Sequence, residues 1–382
     1  MVTKFLPLPA NSGGKSRSLA ILRRLARVTE VTLCAFDDGT GDRAGLEALG
    51  VEVRALSWEP SLVRAARSVP RAGSLQAARF WSPALAAEVR AAAGAGPLDV
   101  LQLVYPQLLP YARDIGARLR VIDFHNIESA LLRSYARRSG SPADLARGLP
   151  LHLEAAAVGR LERRALGEFD VVTVTTEEDR DRLPPGSARV LVCPNGWDPS
   201  PGLPPAPDPV VIFVALMGWA PNADAAVWIA DEVWPLVRAR VPGARLLLVG
   251  RDPTPAVRAR AGTDVEVTGT VDDVRPFLAR ARVALAPLRA GGGSRVKILE
   301  ALDGGRPVVA TSIGAEGLGD LVGRGVVLAD EPGAMADALV GLLVDRDRAE
   351  GLGRAGREAV AARHSWEGTL APYKRLLSGL ST

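Results

Sequence analysis

The sequence predicts an α/β protein built from two doubly wound parallel-sheet (Rossmann-like) domains. Short apolar runs alternate with helix-length segments along almost the whole chain, a pattern typical of βαβ units. The chain has 382 residues, too many for one ordinary hydrophobic core. The segment Pro201–Pro209 has five prolines among nine residues and reads as a linker. We therefore predict domains over 1–203 and 204–365, followed by a C-terminal segment over 366–382, and leave open its return to the first domain.

The predicted elements follow the alternation in order. In the first domain we predict helices over Lys15–Ala26 and Arg43–Leu49, and strands over Val2–Leu6, Val31–Phe36, Val51–Leu56, Val100–Val104, Arg120–Phe124, Val171–Thr175 and Val190–Cys193. In the second we predict helices over Ala223–Val241, Val271–Ala281 and Gly351–Arg363, and strands over Val210–Ala215, Arg245–Gly250, Val265–Thr268, 282–288 and 306–311. Ligands of such sheets bind at the carboxyl ends of the strands, so we expect a site in the cleft between the domains.

Composition and charge exclude several classes of protein. Hydrophobic residues make up 47% and charged residues 24% of the chain, which is typical of a soluble globular protein. The net charge of +4 comes from basic residues spread along the chain, so we expect no nucleic-acid partner. Cys34 and Cys193 lie in apolar runs and are predicted to be buried free thiols of a reducing cytosol. The N-terminus lacks a secretory apolar region, and we expect a cytoplasmic protein.

A glycine loop before a helix indicates a phosphate site. Gly291, Gly292 and Gly293 follow an apolar strand, and Ser294 is predicted to cap the next helix. Arg295 and Lys297 then fall in the first turn, where cations oppose the helix dipole unless an anion lies over the helix end. Backbone N–H groups of a glycine loop at such a helix end bind phosphate groups. The alternative for Lys297 is an i,i+3 pair with Glu300, which contributes only about 0.2–0.5 kcal/mol.

One further motif predicts no nucleotide site, and the histidines and cysteines predict no metal site. The run Gly351-Leu-Gly353-Arg-Ala-Gly356 fits the dinucleotide-binding fingerprint, but it follows a charged helical segment rather than a strand. We therefore reject it as a nucleotide site. The sequence has no His/Cys ligand cluster, and we expect neither a metal site nor a resident cofactor.

The segment from Gly291 to Leu318 resembles the donor-binding segment of glycosyltransferase family 4. The resemblance covers nearly the whole chain, because matching pieces occur in order at Pro9–Gly14, Asp123–Asn126, Val192–Gly196, Met217–Asn222 and Leu248–Arg251. It implies the GT-B fold, with two Rossmann-like domains facing a cleft. It also implies retaining transfer of a sugar from a nucleotide-diphosphate sugar, as co-substrate, without an essential bound metal.

The resemblance also implies roles for residues of the second domain. Arg295 and Lys297 would be catalytic, since they would stabilise the departing diphosphate. Glu300 would accept hydrogen bonds from the ribose hydroxyls. The other donor-binding residues of this domain would be Gly218, Gly291, Gly292, Gly293, Ser294 and Glu316. For Glu316 the alternative is a solvated loop charge, with backbone groups of the same turn contacting the sugar.

Two departures from the family pattern stand out. Gly292 occupies the position where the family has the first glutamate of its Glu-seven residues-Glu motif. The loop Met217–Asn222 lacks the cations that many members carry there. Arg295 and Lys297 are therefore expected to carry a larger share of donor binding than in most relatives.

In the first domain, Gly13 and Gly14 precede a helix start and would bind the donor diphosphate or sugar. Arg17 follows in the first turn, where a surface position is the alternative to a ligand contact. His125 comes after a strand, and a histidine here in the family contacts the donor sugar or the acceptor. Asp123 beside it is positioned to orient the ring. A purely structural histidine is the alternative.

The function that the sequence favours is glycan, glycolipid or glycosylated-metabolite biosynthesis by a retaining, metal-independent glycosyltransferase. A nucleotide-sugar 2-epimerase on the same fold and a non-catalytic partner subunit are the alternatives. The acceptor stays open between a glycan, a lipid-linked substrate and a small molecule. The segment 61–90 combines arginines with Phe80 and Trp81, which favours either a peripheral contact with the inner face of the membrane or a solvated helical face.

Overall fold

The computed structural model describes residues 1–94, 96–137, 142–291 and 295–379. Two compact units divide the chain. The first comprises Met1–Pro194 with Leu370–Thr382, and the second comprises Asn195–Thr369. The division thus falls after Pro194 and after Thr369, whereas the sequence places it after residues 203 and 365.

The first unit is built on a seven-stranded parallel sheet of order β3-β2-β1-β4-β5-β6-β7. Its strands are β1 (Val2–Phe5), β2 (Val31–Asp37), β3 (Val51–Ser57), β4 (Leu98–Val104), β5 (Ala117–Asp123), β6 (Val171–Val174) and β7 (Arg189–Val192). Its helices are α1 (Gly13–Leu25), α2 (Arg43–Glu47), α3 (Leu62–Ala72), α4 (Leu75–Arg79), α5 (Pro83–Ala93), α6 (Glu128–Arg137), α7 (Pro142–Glu168) and α8 (Glu177–Arg182), with a 3-10 helix over Pro106–Ala112. The strand order reverses between β1 and β4, so the loops after these two strands are the expected ligand position.

The second unit has a six-stranded parallel sheet of order β10-β9-β8-β11-β12-β13. Its strands are β8 (Val210–Val214), β9 (Arg245–Val249), β10 (Val265–Gly269), β11 (Val283–Ala286), β12 (Val308–Ala310) and β13 (Val326–Leu328). Its helices are α9 (Ala220–Trp228), α10 (Trp234–Arg240), α11 (Pro255–Arg258), α12 (Arg275–Arg280), α13 (Val296–Asp303), α14 (Pro332–Val344), α15 (Arg346–Arg363) and α16 (Trp366–Thr369), with a 3-10 turn over Gly319–Leu321. The order reverses between β8 and β11. The two parallel sheets confirm the predicted fold class.

The C-terminal helix α17 (Ala371–Ser378) belongs to the first unit. Its Tyr373 is buried, and the Tyr373 hydroxyl donates a hydrogen bond of 2.8 Å to Gln102 Oε1 on β4. A buried amide with a matched partner fixes one docking position, because an unpaired polar group there costs free energy. Cys34 and Cys193 are buried free thiols, as predicted.

Several elements differ from the sequence prediction: the helix predicted over Val271–Ala281, for example, begins only at Arg275. The predicted helix Ala223–Val241 is interrupted by a π-helical segment over Ile229–Val233, directly before Trp234 and Pro235. Proline has no N–H to donate, so the hydrogen-bond ladder must shift there. The helix α13 begins at Val296 with Arg295 as its N-cap, whereas the predicted cap, Ser294, lies outside the described residues. The sequence does not predict β13, because its three residues are too few to show a pattern.

The rejected dinucleotide fingerprint lies inside α15, as its context predicts. A Cβ added at Gly353 would lie 2.1 Å from the carbonyl oxygen of Gly305, and one at Gly356 would lie 2.5 Å from Leu302 Cδ2. These glycines therefore let α15 approach α13 closely. They support the helix that carries the predicted phosphate site, and they bind no ligand themselves.

Candidate active site

The predicted phosphate loop of the second unit begins at Gly291, after β11. Gly291 has φ +145°, a backbone conformation that favours glycine. A Cβ added there would stand 2.5 Å from Arg295 Nη2, so a side chain at this position would displace the arginine. Gly292, Gly293 and Ser294 lie outside the described residues.

Arg295 and Lys297 both lie at the N-terminal end of α13. Arg295 is buried, and its Nη2 donates a hydrogen bond of 3.3 Å to the carbonyl oxygen of Ile313. Lys297 Nζ donates a hydrogen bond of 2.9 Å to Asn222 Oδ1 and lies 4.8 Å from the centre of the Phe213 ring. Burial lowers the pKa of Lys297 to about 7, and the charge of Arg295 adds to the effect.

Asn222 is a site residue that the sequence analysis misses. It is buried on α9, and its Nδ2 donates a hydrogen bond of 2.9 Å to the carbonyl oxygen of Leu216. This bond orients the amide so that its oxygen faces Lys297. The segment Met217–Asn222, which has no cation, therefore supplies a neutral hydrogen-bond acceptor for Lys297. Within the described residues Lys297 forms no pair with Glu300, so the i,i+3 alternative is wrong.

Glu300 is half-buried on α13, on the same helix as the two cations. Burial raises the pKa of Glu300 to about 7, the nearby Asp273 and Asp303 add to the shift, and Arg275 opposes it. A carboxyl group near this pKa is partly protonated at neutral pH. A ligand that donates hydrogen bonds to it would favour the ionised form.

The other two predicted donor residues of this unit lie in loops at the sheet edge. Gly218 follows β8, and a Cβ added there would lie 3.0 Å from the carbonyl oxygen of Asp252. Glu316 lies in the turn after β12, half-buried. The hydroxyl of Thr311 ties this turn to the loop after β11, because it donates to the carbonyl oxygen of Leu288 and accepts a bond of 2.9 Å from the N–H of Gly314.

In the first unit, α1 begins at Gly13, and Ser12 caps it by accepting a hydrogen bond of 3.3 Å from the N–H of Lys15. Gly14 lies at the point where the strand order reverses between β1 and β4. A Cβ added to Gly14 would stand 2.4 Å from the hydroxyl of Tyr105 and 3.4 Å from His125 Nδ1. Gly14 is therefore required here for close approach of two aromatic side chains.

His125 follows β5 and is buried. Its Nε2 lies 3.0 Å from Asp123 Oδ2. Burial lowers the pKa of His125, Asp123 opposes this shift, and Arg17 and Lys4 add to it. The Nδ1 atom lies on the side of the ring that is close to Gly14.

Arg17 is not a surface residue, so that interpretation is wrong. It is fully buried, and its Nε and Nη2 donate bonds of 2.8 and 2.6 Å to the two oxygens of Asp123. Its Nη1 donates a bond of 2.7 Å to the carbonyl oxygen of Cys193. Burial alone would raise the pKa of Asp123, but Arg17 and His125 overcome it and hold the pKa well below its usual range. Arg17 therefore fixes the carboxylate that contacts His125.

A comparison with protein families finds a match in the second unit. The family model described as "Glycosyl transferases group 1" matches residues 208–345, which include β8, Asn222 and all of α13. The matched segment, 208–345, is similar to the group 1 glycosyltransferases. The finer assignment to family 4 is consistent with this match and stays a prediction.

The chain is similar to two mycobacterial proteins that share the name GDP-mannose-dependent alpha-(1-6)-phosphatidylinositol monomannoside mannosyltransferase. The protein of Mycobacterium tuberculosis (strain CDC 1551 / Oshkosh) is 34% identical over 163 residues, which cover 38% of this chain and 42% of that relative. The protein of Mycolicibacterium smegmatis is 27% identical over 317 residues, which cover 71% of this chain and 82% of that relative. The chain thus spans less than half the length of the first of these relatives.

Among solved structures, the sucrose-phosphate synthase of Thermosynechococcus elongatus superimposes with a TM-score of 0.70 at 17% identity. The superposition covers 100% of this chain and 98% of the other. At this identity the likeness shows the fold, which is the GT-B fold that the sequence predicts. Within the described residues, every helix of the chain is too short or too polar to span a bilayer.

Two residues near His125 are absent from the sequence prediction. Tyr105, directly after β4, places its ring centre 4.1 Å from that of His125. Lys4, on β1, places Nζ 3.9 Å from the centre of the Tyr105 ring. Lys4 could have been identified from the sequence as a charged residue within a short apolar strand. The sequence indicates Tyr105 less clearly, because its only distinguishing feature is its position before a proline at the end of a predicted strand.

Proposed function

We propose that this chain is a retaining glycosyltransferase, which moves a sugar from a nucleotide-diphosphate sugar to an acceptor hydroxyl without a bound metal. The observation that carries the proposal is the start of α13. Lys297 contacts a neutral amide there, and within the described residues no carboxylate is within ion-pair distance of its ammonium. A half-buried cation at the positive end of a helix dipole favours an anionic ligand such as a diphosphate.

The proposed chemistry follows from this placement. The bond between the anomeric carbon and the diphosphate oxygen breaks as the acceptor oxygen bonds to the same face of that carbon. The acceptor proton passes to the departing phosphate oxygen, so charge and atoms balance without a protein nucleophile. Arg295, Lys297 and the N–H groups at the start of α13 stabilise the negative charge that builds on the leaving group.

The remaining predicted residues are proposed as donor contacts. Glu300 accepts hydrogen bonds from the ribose hydroxyls, which its raised pKa does not prevent, because such bonds favour the ionised form. Gly13, Gly14, Gly218 and the loop from Gly291 let backbone approach the donor, and Glu316 or its turn contacts the sugar. In the first unit His125 contacts the donor sugar or the acceptor.

The names of the two mycobacterial relatives suggest which substrates to try first. They use GDP-mannose and act on a phosphatidylinositol monomannoside, according to those names. We propose a hexosyl donor of this kind and a lipid-linked or related polyol acceptor. Cytoplasmic action on glycolipid or glycan precursors is consistent with both.

We predict that the purified chain transfers a hexose from one donor of a panel containing GDP-mannose, UDP-glucose and UDP-N-acetylglucosamine. Proton NMR of the product should show the anomeric configuration of the donor, and EDTA should leave the rate unchanged, because protein cations neutralise the diphosphate. An inverted product would contradict the retaining mechanism. Conversion of the donor sugar without an acceptor would favour a 2-epimerase, and nucleotide binding without turnover would favour a non-catalytic subunit.

The exposed start of α3 supports a peripheral membrane contact. Leu62 and Val63 have 75% and 71% of their surface exposed, and exposed Arg64 and Arg67 follow on the same helix. Apolar side chains beside arginines are typical of helices that lie in an anionic lipid interface. We propose this surface, Leu62–Arg67, as a membrane contact.

Replacing both Leu62 and Val63 by glutamate should abolish co-sedimentation with phosphatidylglycerol vesicles while leaving the melting temperature unchanged. The added charges repel the anionic surface and remove the apolar contact. Val344→Glu is the matched control, since Val344 is 70% exposed on α14 of the other unit. Equal vesicle binding by the double variant and the control would rule out this surface.

A further inference from the structure

A lysine lies over aromatic rings at the carboxyl edge of the first sheet. Lys4 Nζ is 3.9 Å from the centre of the Tyr105 ring and 5.1 Å from that of Phe80. The Trp58 ring stacks on Phe80 with a centre distance of 6.1 Å and an interplanar angle of 12°. Lys4, Trp58, Phe80 and Tyr105 are each half-buried. We call these four residues the Lys4 cluster.

Tyr105 joins this cluster to His125. Its ring centre lies 4.1 Å from that of the His125 ring and 3.9 Å from the Lys4 ammonium. Its backbone has φ +88° and ψ 136°, a region that strongly favours glycine. The N–H of Tyr105 donates a bond of 2.8 Å to the carbonyl oxygen of Asp123, which holds this conformation. Strain of this kind persists where the surrounding structure fixes it, commonly at functional sites.

The ammonium of Lys4 has three hydrogen-bond donors and lies over two aromatic rings. In the described part of the chain no carboxylate lies within ion-pair distance of it. Burial lowers the pKa of Lys4 to about 8, the more distant Glu128 opposes the shift, and Arg79 adds to it. Lys4 is therefore mainly charged at neutral pH, and its contacts leave it able to bind an anion.

From this arrangement we propose that the Lys4 cluster is an acceptor subsite for a phosphorylated sugar or cyclic polyol. Lys4 binds the phosphate ester by charge-assisted hydrogen bonds. The exposed parts of Trp58 and Phe80 cover the apolar C–H face of the ring. Tyr105 spaces this subsite from His125, where the reacting hydroxyl lies. The inference rests on the proposed glycosyl transfer and adds an acceptor class to it.

Calorimetric titration with myo-inositol 1-phosphate and with unphosphorylated myo-inositol tests the subsite. Saturating GDP and UDP are present, so that the phosphate probe cannot occupy the loop before α13. The wild-type chain should bind the phosphorylated probe more tightly than the unphosphorylated one. Lys4→Met should weaken that binding about tenfold or more, because it removes the charge while keeping the methylenes over the rings.

Lys4→Arg should retain most of the affinity, and Lys374→Met serves as the control, since Lys374 is exposed on α17. GDP and UDP binding should be the same in all four proteins. Equal affinity of wild type and Lys4→Met for the phosphorylated probe would overturn the subsite, and so would equal or absent wild-type binding of both probes. Loss of nucleotide binding in the wild type would instead count against the proposed function.

Vesicle binding distinguishes a lipid headgroup from a free phosphorylated polyol as the acceptor. Binding to phosphatidylinositol vesicles is compared with binding to phosphatidylglycerol vesicles, for wild type and Lys4→Met. A preference for phosphatidylinositol that disappears in Lys4→Met identifies a lipid headgroup. Lys4-dependent binding of the soluble probe without that preference identifies a free phosphorylated polyol. Both results support the subsite, and a preference that survives in Lys4→Met contradicts it.

Discussion

Replacing Lys297 by alanine is expected to reduce kcat/KM for transfer by about 10²–10³-fold or more, the usual effect of losing one donor that stabilises a developing anion. The ammonium lies at the N-terminal end of α13, and its contacts are Asn222 Oδ1 and the Phe213 ring. Within the described residues no carboxylate pairs with this ammonium, so its removal leaves no buried negative charge without a partner. The fold should therefore persist. Steady-state rates with the preferred donor measure the effect, and Lys374→Ala is the control.

The pKa values of Lys297 and Glu300 predict whether the chain takes up or releases protons when it binds a nucleotide sugar. The pKa of Lys297 is lowered to about 7, and bound diphosphate would raise it again. At pH 8 the chain should therefore take up a proton when a nucleotide sugar binds. The pKa of Glu300 is raised to about 7, and ribose hydroxyls would lower it. At pH 6 the chain should instead release a proton.

Calorimetry in buffers of different ionisation enthalpy separates the two contributions. Lys297→Ala should abolish proton uptake at pH 8, and Glu300→Gln should abolish proton release at pH 6. A nucleotide sugar is the right ligand, because its diphosphate has no proton that titrates in this range. If wild type exchanged no protons at either pH, or if Lys297→Ala turned over at a near-normal rate, Lys297 would not bind the diphosphate.

The fold was predictable because strand and helix periodicities are local. The alternation of apolar runs with helix-length segments identifies both parallel sheets, and strand order places the loops after β1, β4, β8 and β11 at the positions where ligands bind. The cations at the start of α13 were also visible, since the helix dipole makes their position unfavourable without an anion.

The hydrogen-bond and ion-pair partners of the site residues were not predictable, because they lie far away in the chain. Lys297 could pair with Glu300 by helical spacing, but it bonds to Asn222 of another helix. Arg17 follows a helix start like a surface cation, yet it binds Asp123 and is fully buried. No local pattern distinguishes these outcomes, since burial and a matching acceptor are properties of the folded sheet edge.

Two unusual backbone conformations were also not predictable from the sequence. Tyr105 occupies a conformation that favours glycine, and statistics of residue type would place a glycine there. The π-helical segment over Ile229–Val233 depends on how the chain accommodates Pro235 within a continuous helical pattern. Both features arise where tertiary contacts outweigh local preference.

Asp123→Asn should destabilise the first unit by about 3–5 kcal/mol, the usual cost of breaking a buried ion pair from one side. The asparagine keeps the shape of the side chain, but its Nδ2 cannot accept the hydrogen bonds that Arg17 and Thr173 donate to the carboxylate. Arg17 would remain fully buried with an uncompensated charge. Urea unfolding monitored by hydrogen exchange of the β5 amides measures the loss in this unit.

Asp99→Asn is the matched control, because Asp99 pairs with Arg118 at the surface, with side chains 64% and 60% exposed. Its cost should stay within about 1 kcal/mol. If the Asp123→Asn and Asp99→Asn variants were equally stable, Arg17 and Asp123 would not form a buried ion pair. The combined change Arg17→Met with Asp123→Leu should recover part of the loss, since it removes both charges.

The same pair predicts how stability depends on pH. The folded pKa of Asp123 is depressed, so its contribution is present above the unfolded pKa of about 3.9 and is lost as pH falls through the folded value. Wild type should therefore lose stability below about pH 4 more steeply than Asp123→Asn. Because Asp123 also contacts His125 at 3.0 Å, Asp123→Asn should lower kcat even where it is fully folded. His125→Asn should lower kcat while keeping the acid dependence, since it leaves the Arg17–Asp123 pair intact.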